Sequence, residues 1–277
     1  MSGAAADGLA QPRQFWAIFT TGLGLVMAVL TGTIANIALP TIARDLDVSP
    51  ASAIWVVNAY QLAVAGCLLP FAALGDRLGA RQVHLGGLAA YMLASLGCAL
   101  ADSLTSLAVA RALQGIAAAA LMSVNIALIR AVYPPQTLGR GVGLNALVVG
   151  ASFAAGPTIA SLVLSVADWP WLFAINLPLA GLSLLVAWPV LPRSSARGHA
   201  LDPLTAVFTA VCFASLVGTL SAATQRQPVT LVLALLALTV GAGALLLRRQ
   251  AGHPAPMLPV DLLRRPMFAL SICTAVS

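Results

Sequence analysis

The chain has 277 residues, of which 60% are hydrophobic and only 8% charged, and its mean hydropathy is +0.96. A water-facing domain carries about 25% charged residues, so this composition excludes a soluble enzyme, a disordered tail and a nucleic-acid module. The net charge is +6, with 14 basic residues (all Arg) and 8 acidic ones (all Asp), but it has no solvated surface on which to gather nucleic acid. The predicted class is all-α: a polytopic helical membrane protein whose first partner is the lipid bilayer.

A membrane span needs about 20 mainly apolar residues. That window predicts helices over 17–39, 53–74, 83–101, 107–129, 142–165, 171–190, 204–224 and 229–247. Residues 1–14 form a polar segment, expected on the cytoplasmic side. The apolar run that follows is too long for a cleaved signal and reads as an anchor. Residues 15–190 make a six-helix block and 191–203 a linker, with a two-helix insert at 204–247 and a second linker at 248–266. A ninth apolar run opens at 267–277; at about 1.5 Å per residue it would cross about half a bilayer.

Arginine placement predicts the orientation. With the N-terminus inside, Arg13, Arg77, Arg81, Arg130, Arg140, Arg193, Arg197, Arg248, Arg249, Arg264 and Arg265 are cytoplasmic, while Arg44 and Arg226 are outside. The aspartates divide evenly and set nothing. The four cysteines (Cys67, Cys98, Cys212, Cys273) all lie in apolar runs and read as small packing residues. His199 and His253 fall in the linkers, and His84 is expected at the membrane interface. No metal or cofactor is called for.

The fourth predicted helix carries a polar stripe. At 100° per residue Arg111, Gln114, Gly115, Ala118, Met122 and Asn125 share one face, opposite Leu, Ile, Val and Ala. Such a stripe faces a bundle interior or a water-filled path; the alternative is an Arg111 that snorkels to the headgroups. The first helix has Thr20, Gly24, Met27, Thr31 and Ala38 on one side, and the second has Asn58 and Gln61. These faces read either as a central polar path or as close-packed seams of small residues. Between helices two and three, Asp76, Arg77, Gly79 and Arg81 form a compact ionic turn. It is either a topogenic loop or a latch that pairs in one conformation only. In the fifth helix Ser152, Gly156 and Pro157 predict a bend lined by small side chains.

Five stretches together resemble one family. Leu30 to Pro40, Leu74 to Arg81, Arg111 with Gln114-Gly115, Ser152 to Ser161, and Trp169 to Pro178 are similar, in order and spacing, to the major facilitator superfamily. Within it they resemble the fourteen-helix drug–proton antiporter branch, of which this would be the N-terminal portion. Thr31 stands where the branch usually has Asp, Ala72 and Ala80 replace a leading Gly and a basic residue of the loop, and Pro170 replaces an Arg.

The resemblance implies multidrug or small-molecule efflux across the plasma (inner) membrane by alternating access of two bundles, with protons as coupling partner. It implies a substrate path through Thr31, Asn58, Gln61, Arg111, Gln114 and Asn125. The latch would be Asp76, Arg77, Gly79 and Arg81, and the kinked antiporter motif Ser152, Gly156 and Pro157. Two other readings stay open: a non-transporting truncated membrane protein or docking subunit, and a membrane enzyme. The last lacks any carboxylate, Lys or gathered His within the spans from which to build catalysis.

Overall fold

The computed structural model describes residues 9–193, 203–224 and 227–250. The described residues are helical and contain no strand, as the composition predicts. In chain order the helices are α1 (Arg13–Asp45), α2 (Pro50–Ala53), α3 (Trp55–Leu78), α4 (Ala80–Ala99), α5 (Leu104–Val132), α6 (Leu138–Val166), α7 (Trp171–Ala174), α8 (Asn176–Val190), α9 (Pro203–Thr224) and α10 (Val229–Gln250). The sequence expectations for the linker centre, most of the second linker and the ninth run lie outside the described residues, as do His199, His253 and Cys273.

Each of the eight predicted spans forms; the first, second, fourth and fifth run past their expected ends, while the third starts three residues early, at Ala80, and stops at Ala99, two short of the expected 101. At 33 residues α1 measures about 50 Å, against a hydrocarbon core of about 30 Å. A window tuned to apolar residues stops at the core; the backbone hydrogen bonds do not, because a helix end is cheapest where water or a cap reaches it. On the loop side, Ser103 and Ser106 cap α5 reciprocally, and Ser49 caps α2. The sixth predicted helix is broken at Ile175 into α7 and α8, three residues before Pro178, whose ring cannot accept the carbonyl geometry of the preceding turn.

Among the described residues, seven segments are long and apolar enough to cross a membrane. The third predicted span, α4, is the exception among the six helices of the bundle. Arg81, Gln82, His84 and three glycines lower its hydropathy, and it is sheltered between α5 and α8.

Six long helices form one bundle. The central pair α1 and α5 are the most deeply buried; α3 and α4 pack on α5, and α6 and α8 pack on α1. Lipid offers no hydrophobic gain for helix association, so contact depends on small residues and polar bonds. Gly115 lets α5 touch the backbone of α3: a Cβ there would meet Ala63 Cβ at 2.9 Å and run into the Tyr60 carbonyl. Ser152, Gly156 and Ala160, four apart, are the buried residues of the α6 face, and Gly156 lies against Thr33 of α1. The α9–α10 pair docks on α3 through α9, where Gly66 faces Ala210 and Ala214.

Two apolar clusters fill the bundle. One gathers Met27, Leu88, Leu121 and Leu128, and the other Ile34, Ile42, Leu107 and Phe173. Between them in sequence lies a polar layer, formed by Thr31 of α1, Ser95 of α4, Arg111 and Gln114 of α5 and Asn176 of α8.

Candidate functional site

The polar layer is centred on Arg111, which is fully buried. Its Nε donates to the Val56 carbonyl of α3 at 3.0 Å, and its Nη1 donates to Gln114 Oε1 at 2.7 Å. The guanidinium lies 4.2 Å from the centre of the Tyr60 ring and 5.5 Å from that of Phe173. A desolvated cation over an aromatic face gains about 2 kcal/mol, so two rings and a carbonyl hold this charge without any carboxylate. Nη2 has no partner among the described residues. Arg111 therefore does not snorkel; it points into the bundle.

Around it the layer ties five helices together. Gln114 donates from Nε2 to Ser95 Oγ of α4 at 2.8 Å. The Tyr60 hydroxyl donates to the Ala28 carbonyl of α1 at 2.6 Å, and that of Tyr91 to the Met27 carbonyl at 2.9 Å. Thr31 is buried and accepts from Asn176 Nδ2 of α8 at 3.2 Å. Each α1 carbonyl used here already belongs to a helix, so the tyrosines take a second lone pair and pin α3 and α4 to α1.

The expected path residues are thus divided. Arg111, Gln114 and Thr31 lie in the sealed layer. Asn125, on the same α5 face but nearer the end where α1 begins, donates from Nδ2 to Asn145 Oδ1 of α6 at 2.5 Å. Asn58 is half-buried on the other side of α3 and lines a groove with Ser215 and Gln227 of the α9–α10 region, while Gln61 is exposed. The structure does not bring these last two to Arg111.

The Asn125–Asn145 pair stands beside an opening. A cavity of about 260 Å³ between α1 and α6 is lined by Thr21, Leu23, Val26, Tyr133, Asn145 and Val148. It shares Ile18, Phe19, Tyr133 and Leu144 with a wider volume of about 780 Å³, whose rim carries Gln11, Gln14 and Arg140. The two make one groove with apolar walls, a cation and amides at its mouth, and the Asn pair farther in.

Of the ionic turn, Asp76 and Arg77 are exposed on the last turn of α3. Gly79 has φ 96°, a conformation that L side chains rarely adopt, and so permits the reversal between α3 and α4. Arg81 donates to the Trp188 carbonyl of α8 at 2.6 Å. In α6, which runs unbroken through Pro157, Ser152 and Gly156 face α1 and Pro157 is exposed.

His84, expected at the membrane interface, lies near the start of α4 with its side chain turned into the bundle. It is fully buried against Gly24 of α1, with neither ring nitrogen partnered among the described residues. The missing Cβ of Gly24 makes the room that draws it in. Sequence reasoning also passed over Tyr60, Tyr91, Ser95 and Asn145. A usable signal existed for the tyrosines: there are only three in the chain, and a phenol in an apolar run needs an acceptor. Among the described residues no group of His, Cys or Asp is arranged to hold a metal ion.

With this geometry in view, the likenesses are consistent. The sequence model of the Major Facilitator Superfamily matches residues 21–275. The chain is 52% identical over 273 residues to the "Uncharacterized transporter YebQ" of Escherichia coli (strain K12), covering 98% of this chain and 60% of that protein. It is 38% identical over 182 residues to the "Tetracenomycin C resistance and export protein" of Streptomyces glaucescens, covering 66% and 34%. The fold is similar to that of the proton:xylose symporter XylE, at a TM-score of 0.55 and 14% identity, over 86% of this chain and 55% of that one. The chain thus spans 60% or less of the length of these relatives. The family is one of transporters and not of enzymes, and its model covers most of the sequence: the chain is a member of the Major Facilitator Superfamily.

Proposed function

We propose that this chain is the N-terminal bundle and two linking helices of a fourteen-helix exporter. The complete protein moves an amphipathic small molecule out of the cell across the plasma membrane, coupled to protons, by rocking one bundle against another. The N-terminus lies in the cytoplasm, on the arginine argument above.

The observation that carries this reading is the α1–α6 groove ending beside the Asn125–Asn145 pair. Apolar walls around a few convergent polar groups suit a ligand that is itself mostly apolar. One relative's name, for export of and resistance to tetracenomycin C, supports the same class. In this reading Asn125 and Asn145 meet substrate, with Asn58 and Gln61 reached only in another conformation. Arg111, Gln114 and Thr31 brace the wall. Asp76, Arg77, Gly79 and Arg81 form the latch of an alternate state, and Ser152, Gly156 and Pro157 let α6 bend against α1.

The proton is carried elsewhere. Each described Asp stands at a helix end or in a loop, Thr31 has no ionisable group, and Arg111 keeps its charge. The coupling carboxylate belongs to the part of the transporter beyond this bundle.

The test is efflux by the complete protein in inverted vesicles under an imposed pH gradient, with membrane content checked for each variant. Thr31→Ala retains pH-driven transport, whereas Arg111→Ala and Asn145→Leu abolish it. A dead Thr31→Ala beside an active Arg111→Ala would overturn the assignment.

A further inference from the structure

Helix α7 is a single turn, Trp171–Ala174, and a helix that short does not hold its own geometry. Yet it carries Phe173, one of the two rings that face the Arg111 guanidinium. Whatever fixes α7 therefore helps to fix the arginine. Two anchors do so, and both reach α1. At the exit of α7, Asn176 Nδ2 donates to Thr31 Oγ1 at 3.2 Å. At its entry, Trp169 Nε1 donates to Asp45 Oδ2 at 2.7 Å, between residues 124 apart in sequence.

The burial of Trp169 explains why the second anchor is needed. Its side chain is 3% exposed and belongs to the apolar cluster of Ile42, Leu107 and Leu172. An indole N–H in such surroundings needs an acceptor. Asp45, the last residue of α1, is itself exposed and supplies a charge-assisted one. The bond fixes the plane of the indole, and Trp169 then meets Phe173 edge to face, with ring centres 6.2 Å apart and planes at 77°. That is a favoured aromatic geometry, so the orientation of one ring is passed to the other. Phe173 in turn lies 5.5 Å from the Arg111 guanidinium. Carboxylate, indole, phenyl and guanidinium form one line of contacts from the end of α1 to the polar layer.

We propose that Asp45 is a positioning residue of the arginine layer, acting through Trp169 to hold Phe173 against Arg111. With the indole released, α7 keeps only its Asn176 anchor, and Arg111 loses one of the two rings that stabilise its charge. This inference rests on the bracing role proposed above for Arg111.

The test uses the complete protein with native cysteines replaced and Ser95→Cys, in the arginine layer, as reporter. Its rate of labelling by N-ethylmaleimide, which enters membranes, is measured. Asp45→Ala raises that rate about tenfold, as the loss of one charge-assisted hydrogen bond allows. Asp45→Asn, which drops the charge and keeps an oxygen acceptor, retains the slow rate. Trp169→Phe, which keeps a ring and drops the donor, labels as fast as Asp45→Ala, and the two together label no faster. Leu128→Cys, fully buried in the other apolar cluster, stays unlabelled throughout. An unchanged rate in Asp45→Ala, or rates that multiply in the double variant, would overturn the proposal. Labelling of Leu128→Cys alongside Ser95→Cys would show general loosening of the bundle and overturn it equally. None of these rates depends on what the protein transports, so a failure here is separate from a failure of the exporter reading.

Discussion

Arg111 is a cation stabilised without an acid, and that distinguishes it from an ordinary buried ion pair. Removing its side chain takes one donor each from Gln114 Oε1 and the Val56 carbonyl at a fully buried position; each lost buried partner costs about 1–3 kcal/mol. The sequence made Arg111 and Gln114 visible because polar residues three apart stand out in an apolar run. Tyr60, Ser95 and Phe173 were not visible as their partners, since which residues of α3, α4 and α7 meet Arg111 depends on how the helices cross. The same crossing makes Gly115 critical. Gly115→Ala must push against the Tyr60 backbone, which cannot yield as a side chain can, and is expected to destabilise by about 1–3 kcal/mol. Gly86→Ala, with nothing within 4 Å of the added carbon, is neutral or gains up to about 1 kcal/mol of helix propensity. Thermal unfolding of both variants in detergent, monitored by intrinsic fluorescence, checks the contrast; equal midpoints would contradict it.

The helices themselves were largely legible, because a lipid-facing surface forces long apolar runs and each of the eight appears. What the runs could not give was the use of each face. The small residues of α6 read as the lining of a bend at Pro157; in the fold α6 runs through Pro157 as one helix, and Ser152, Gly156 and Ala160 are buried on it, with Gly156 against Thr33 of α1. Asn58 read as part of a path shared with Arg111, yet it faces the α9 side because α3 presents opposite surfaces to α5 and α9. The docking of α9 rests on Gly66 of α3, where an added Cβ would come within 2.9 Å of the Ala210 carbonyl. Gly66→Leu should therefore lift the α9–α10 pair from the bundle. Leu62 and Gly218 lie against each other across this contact, so a Leu62→Cys, Gly218→Cys pair in a background without other cysteines cross-links under mild oxidation. Adding Gly66→Leu should cut that cross-linking at least several-fold; an unchanged yield would show that α9 is held by something other than this close approach.

At the scale of the whole molecule, the bundle divides its polar residues between two tasks. The sealed layer from Thr31 to Asn176 fixes the relative positions of α1, α3, α4, α5 and α8. The groove between α1 and α6 stays open and carries Asn145 and the mouth residues. One rigid wall and one accessible face are what rocking between two bundles requires, since a body that moves as a unit must not exchange its internal contacts as it turns. The distinction is not written in residue type, because Asn125 and Gln114 lie on the same face of α5 and only the arrival of α6 beside the first and α4 beside the second separates them. The measurement that tests it most directly is thiol accessibility in the complete protein, with native cysteines replaced and a membrane-impermeant maleimide added from either side. Asn145→Cys should label from the side where α1 begins and be protected by a transported substrate, whereas Ser95→Cys in the sealed layer and Leu113→Cys on the lipid face should stay unlabelled. Labelling of Ser95→Cys with Asn145→Cys silent would place the path through the arginine layer and contradict the account.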